Sequence, residues 1–285
     1  MTRIDIGAAL RLLAAFAMLP VAMHAAAGAP LRTVAYGPLP AQVASLCLPE
    51  GGGPHAAALL IHGGGWSAGS RDEFAGLTQW FCDNGVVAMT IDYRLAPAPG
   101  ADRPESRARW PAQREDTRQA VWWLREHADS LHLDPHRVLA LGGSAGGLLA
   151  GWLGTSDQVD AQGTHARVDA VVSLWGPWDL TDAPPRSDAR HMIAGLVGDQ
   201  PPREASPIFQ VDGHAAPTLF VHGTADTLVP PVQSSRACEA LRAASVPCEV
   251  VMLEGQGHGP AHVDMGRLLA RIAAFSTSAF ARPRP

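Results

Sequence analysis

Short apolar runs alternate with helix-patterned stretches along most of the chain. Residues 56–61 read Ala-Ala-Ala-Leu-Leu-Ile, without polar alternation, and end in a glycine loop. Comparable runs predict strands over 86–91, 137–141, 168–174, 218–221 and 249–253. Between them, helices are expected over 72–84, stopped by Gly85, and over 113–130, where Ala120, Val121, Leu124 and Leu131 share a face. Further helices are expected over 145–153, 231–244 and 260–279. Strands that are apolar on both sides must be covered on both faces. The pattern therefore predicts an α/β fold with a mostly parallel central sheet and helices on each side. Residues 33–36 and 42–48 read as an antiparallel hairpin leading in. Pro97, Pro99, Pro104 and Pro111 exclude regular structure from 92–111. The stretch 175–207 reads as irregular, a lid-like insertion in one catalytic domain spanning 28–285.

The first 27 residues read as an address. Arg3 and Arg11 bracket a short basic region, residues 12–23 are apolar, and Ala25-Ala26-Ala27 supplies a cleavage site. That apolar run is far shorter than the ~20 residues a spanning helix needs, and it contains Pro20. A signal peptide cut after Ala27 is expected, with a periplasmic or secreted product and no stable membrane insertion.

Composition narrows the chemistry further. Hydrophobic residues make up 47% and charged residues 17% of 285, enough to fill a core and too apolar for a disordered chain. The net charge of −5 offers no field for nucleic acid. All 22 basic residues are arginine, so lysine Schiff bases and a Walker-type lysine are excluded. Four cysteines allow three disulfide pairings. Cys238 and Cys248 are expected to pair across a helix, turn and strand, leaving Cys47 with Cys82; four buried thiols are the alternative. No C-x-x-C occurs, and no metal site is expected.

The chemistry is expected where strands meet helices. Gly142-Gly143-Ser144-Ala145-Gly146 follows a strand and opens a helix, the setting of a nucleophilic serine on a sharp turn. Side chains two before and two after that serine would collide, so both positions must be glycine. His62-Gly63-Gly64-Gly65-Trp66 follows an earlier strand, and its bare amides suit an oxyanion. Gly63, Gly64 and Ala145 are the expected donors, with His62 orienting the loop. A serine needs a base, and the base an acid. His222-Gly223-Thr224-Ala225-Asp226 and Gly257-His258-Gly259 follow the last two strands, at the sheet edge where ligands bind. Asp226 and His258 are therefore the expected acid and base. His262 is set aside because it falls within the predicted last helix and no glutamate accompanies the pair. Trp66, Trp175 and Trp178 are candidates for the substrate pocket, with core packing as the alternative.

At this point the chain resembles the serine α/β-hydrolases. More narrowly, it resembles bacterial esterases related to hormone-sensitive lipase and to the acetyl and feruloyl (BD-FAE-like) esterases. His62–Trp66, Asp92-Tyr93-Arg94-Leu95-Ala96-Pro97 and Gly142–Gly147 carry the resemblance. It implies hydrolysis of carboxylic esters by Ser144, His258 and Asp226 without a cofactor. The implied substrate is a small-molecule or carbohydrate-linked ester, and oligomeric state stays open. Arylformamidases and prolyl-oligopeptidase-type peptidases share parts of the pattern, and a non-catalytic binding protein would lack a triad member.

Overall fold

The computed structural model describes residues 30–98, 108–183 and 187–282; the expected signal peptide lies outside them. In chain order the strands are β1 (Arg32–Ala35), β2 (Val43–Cys47), β3 (His55–Ile61), β4 (Val87–Ile91), β5 (Leu133–Gly143), β6 (Ala170–Leu174), β7 (Thr218–Gly223) and β8 (Cys248–Leu253). The helices are α1 (Ala75–Asp83), α2 (Ala112–Glu126), α3 (Ala145–Thr155), α4 (Asp188–Val197), α5 (Val232–Ala243) and α6 (Met265–Phe280). The strands form one sheet in the order β1-β2-β4-β3-β5-β6-β7-β8. Pairing is antiparallel where β2 meets β1 and β4, and parallel at every other junction. This is the α/β-hydrolase architecture, with the expected hairpin at one edge.

The absence of polar alternation has a direct cause. Successive strand residues feed two separate cores. Leu59 and Ile61 of β3 join Val121, Leu124 and Leu148 beneath α2 and α3, while Ala58 and Leu60 join Phe81 and Ile272 beneath α1 and α6. A polar residue at either parity loses water and costs roughly 1–3 kcal/mol unless it finds a buried partner.

Two boundaries differ from the sequence reading. The stretch 175–207 is not irregular throughout, because it contains α4. Ser187 caps that helix by accepting from the Arg190 N–H, and Ile193, Leu196 and Val197 bury its inner face. The last helix begins at Met265, where Asp264 accepts from the Arg267 N–H. His262 therefore stands in the preceding loop, not on a helix. Its backbone N–H donates to the Gln256 side chain.

Both expected disulfides are present. Cys47 of β2 joins Cys82 of α1, and Cys238 of α5 joins Cys248 of β8, with Cα separations of 5.8 and 5.5 Å. The first closes a loop of 35 residues. Loop-closure entropy for that length corresponds to roughly 3–4 kcal/mol. Replacing both cysteines of that bridge by alanine is expected to lower the unfolding free energy by a comparable amount, measured by urea titration. An unchanged midpoint would contradict it. Among the described residues, no helix is long and apolar enough to cross a membrane.

Candidate active site

Ser144 occupies the single residue between β5 and α3, with φ +52° and ψ −117°. That conformation is unfavourable for any residue with a Cβ, and the surrounding turn holds it in place. The Ser144 N–H donates to Leu174 O at 2.8 Å, tying the turn to β6. A Cβ on Gly142 would come within 2.1 Å of Gly146 O, and one on Gly146 within 2.0 Å of Ile61 O. The collision expected from the motif thus has named partners. Gly146→Ala must push α3 off β3, so we expect at least about a hundredfold loss of kcat and a lower Tm. Turnover of a p-nitrophenyl ester and thermal melting would check this, and wild-type kcat would refute it.

Asp226 lies in the loop after β7, and His258 in the loop after β8. The His258 ring bridges the other two groups. Its Nδ1 lies 2.7 Å from Asp226 Oδ2, and its Nε2 lies 2.8 Å from Ser144 Oγ. Asp226 Oδ1 accepts the backbone N–H groups of Leu228 and Val229, each at 2.9 Å. Oδ2 also lies 3.2 Å from Nε2 of His222, a contact that the sequence reading did not assign. Burial pushes the Asp226 carboxyl up. Hydrogen bonds from His222, then His258 and the Val229 amide, outweigh burial and hold it well below the ordinary carboxylate range. The carboxylate is therefore ionised and can only accept, which places the proton of His258 on Nδ1. Nε2 is left to accept from the serine hydroxyl.

The glycine loop reaches the cleft through Gly65 and Trp66. The Gly63 carbonyl accepts from the Tyr93 hydroxyl at 3.2 Å, which fixes the loop beneath the cleft. Gly65, not Gly63 or Gly64, lines the cleft above Ser144, together with Trp66 and Ala145. The Ala145 N–H opens α3 and has no backbone acceptor among the described residues. His62 is buried and stacked on Tyr93 with ring centroids 4.2 Å apart. Burial lowers its pKa to about 4, so the ring is neutral and packs beneath the loop.

The three tryptophans separate. Trp66 lines the cleft and donates Nε1–H to Ala145 O at 3.1 Å. Trp175 and Trp178 do not line it. Trp175 packs into the core beneath α1 and α6. Trp178 is fully buried against Phe220 and donates to Ser173 Oγ. Position after β6 alone suggested the cleft for both, but the chain turns them inward, where large apolar area is worth most. The remaining walls come from the segment after β6 (Pro177, Leu180, Ala183), from α4 (Met192, Ile193) and from the loop after Asp226 (Leu228, Val229). These were missed with α4 itself; the Ser187 cap and the Ile193-x-x-Leu196-Val197 spacing were the available signals. Among the described residues, no group of three or more His, Cys, Asp or Glu is placed to hold a metal ion.

The BD-FAE family model matches residues 46–241. The chain belongs to the BD-FAE family. That match takes in the glycine loop, the Ser144 turn and Asp226. Esterase LipC of Mycobacterium tuberculosis is 34% identical over 249 residues, covering 80% of this chain. The match covers 59% of LipC, and 44% and 45% of two other M. tuberculosis relatives, so the chain spans about half the length of these curated relatives. Among solved structures, a truncated carbohydrate esterase from gut microbiota superimposes with a TM-score of 0.74 at 26% identity, covering 88% of this chain and 95% of that one. Thermogutta terrifontis esterase 2 phosphonylated by sarin gives 0.73 at 26% identity, covering 87% and 92%.

Proposed function

We propose that this BD-FAE protein is a serine hydrolase of carboxylic esters, with Ser144 as nucleophile, His258 as base and Asp226 as the orienting acid. The observation that carries the reading is the unbroken path from Asp226 Oδ2 through both ring nitrogens of His258 to Ser144 Oγ. His258 Nε2 takes the hydroxyl proton as Oγ attacks the ester carbonyl. The oxyanion falls to the N–H of Ala145 and to the glycine-loop amide of Gly65, at the positive end of α3. His258 then protonates the departing alcohol, and water repeats the sequence on the acyl-enzyme. The esterase names of LipC and of the solved relatives support ester hydrolysis.

The cleft walls support short acyl groups, on a small or carbohydrate-linked alcohol. Met192 lies directly over the glycine loop, since a Cβ on Gly65 would come within 2.7 Å of its sulfur. Met192→Ala is expected to raise kcat/KM for p-nitrophenyl octanoate about tenfold relative to the acetate, the scale of a few methylenes in an apolar pocket. An unchanged acetate-to-octanoate ratio would remove Met192 from the acyl site. The two disulfides support a periplasmic or secreted location.

A fluorophosphonate probe tests the central assignment. Mass spectrometry of the labelled chain is expected to place the adduct on Ser144. Labelling elsewhere, or none in active protein, would overturn the reading.

A further inference from the structure

His222 stands next to last in β7 with its side chain fully buried, and the mechanism above does not use it. Its Nε2 lies 2.8 Å from Val229 O and 3.2 Å from Asp226 Oδ2. Both partners only accept, so Nε2 must carry a hydrogen whatever the charge on the ring. Its Nδ1 lies 2.7 Å from Ser234 Oγ of α5, which is also buried. A hydroxyl donating there holds the ring neutral, with Nε2–H aimed at the carboxylate.

Resting on the proposed triad, the geometry points to His222 as a positioning residue: backed by Ser234, its Nε2–H shares Asp226 Oδ2 with His258, holding that oxygen in place and taking up part of its charge. The carboxylate then receives four N–H groups: Leu228 and Val229 on one oxygen, His222 and His258 on the other. The ionisable groups bonded to Asp226 are the two histidines. His258 faces Asp226 and Ser144, while the other partners of His222 are an uncharged hydroxyl and a carbonyl.

The consequence for pH has a definite sign. Without the His222 N–H, Oδ2 concentrates its charge on His258 and stabilises the imidazolium. His258 then stays protonated, and useless as a base, to higher pH. The acid limb of kcat/KM must move upward.

The test compares His222→Leu, which deletes the donor, with His222→Gln, whose side-chain amide N–H reaches the position of Nε2. His222→Leu is expected to lower kcat about tenfold with KM within about twofold, and to move the acid limb up by about half a pH unit. His222→Gln is expected to stay within about threefold of wild type, with the limb in place. Should the leucine variant not fold, His222→Asn replaces it, since its shorter amide cannot reach Asp226. A folded donor-less variant with wild-type kcat and limb overturns the proposal, as does a glutamine variant as impaired as the leucine one. Ser144→Ala, assayed alongside, separates the two levels. An inactive Ser144→Ala beside an unaffected His222→Leu refutes only the positioning role, whereas an active Ser144→Ala refutes the triad.

Discussion

Ser144→Ala is expected to cut turnover of p-nitrophenyl acetate by at least about 10⁴-fold and to abolish fluorophosphonate labelling. The size of the loss follows from what the hydroxyl does. Without Oγ no acyl-enzyme can form, and what remains is water attacking an ester polarised by backbone amides. The fold itself should be indifferent. Alanine needs the same positive φ as serine, and the side-chain hydrogen bond lost is the one to His258. The variant is therefore expected to keep the wild-type unfolding free energy, from urea titration, to within about 0.5 kcal/mol. Turnover within tenfold of wild type, in protein free of contaminating esterase, would mean that Ser144 is not the nucleophile.

Asp226→Asn is expected to be nearly as damaging, with about a 10⁴-fold loss of kcat. An amide group in place of Oδ2 can offer an N–H, which turns His258 toward the tautomer with a bare Nδ1. Nε2 would then carry the hydrogen and could no longer accept the serine proton. The same variant tests stability. In the folded chain the Asp226 carboxyl is held below its unfolded value of ~3.9. Its stabilising interactions are therefore complete above that value and are lost as pH falls through the lower, folded one. Urea midpoints measured from pH 7 down to pH 3 should fall less steeply on acidification for Asp226→Asn than for wild type, by up to one proton in the slope. Identical slopes would show that the carboxylate is not selectively stabilised in the folded state.

The parts of this site that were legible in the sequence are those set by neighbours along the chain. Gly142 and Gly146 flank Ser144 because the turn leaves no room for a Cβ at either position, and that crowding is local. The apolar strand runs showed that both faces of the sheet are covered, since each side-chain parity has its own core. The acid and histidine were legible as polar residues in the loops after the last two strands. Side-chain destinations at longer range were not legible. Trp66 and Trp178 are both tryptophans beside a strand end, yet one lines the cleft and the other packs on Phe220. Nothing within a few residues of either distinguishes them.

Most strands and helices and the strained serine turn were thus properties of the chain's own pattern, because short-range sterics and hydrophobic period depend on residues close in sequence. Folding settled the rest. Ser144 and His258 are 114 residues apart, and their 2.8 Å contact exists because β8 lies three places from β5 in the sheet. The fold also places Met192 of α4 over the glycine loop, although Gly65 and Met192 are far apart in the chain. Contacts of that kind depend on which strands pair and in what register, and that is a sum over both cores that no single stretch of the chain contains.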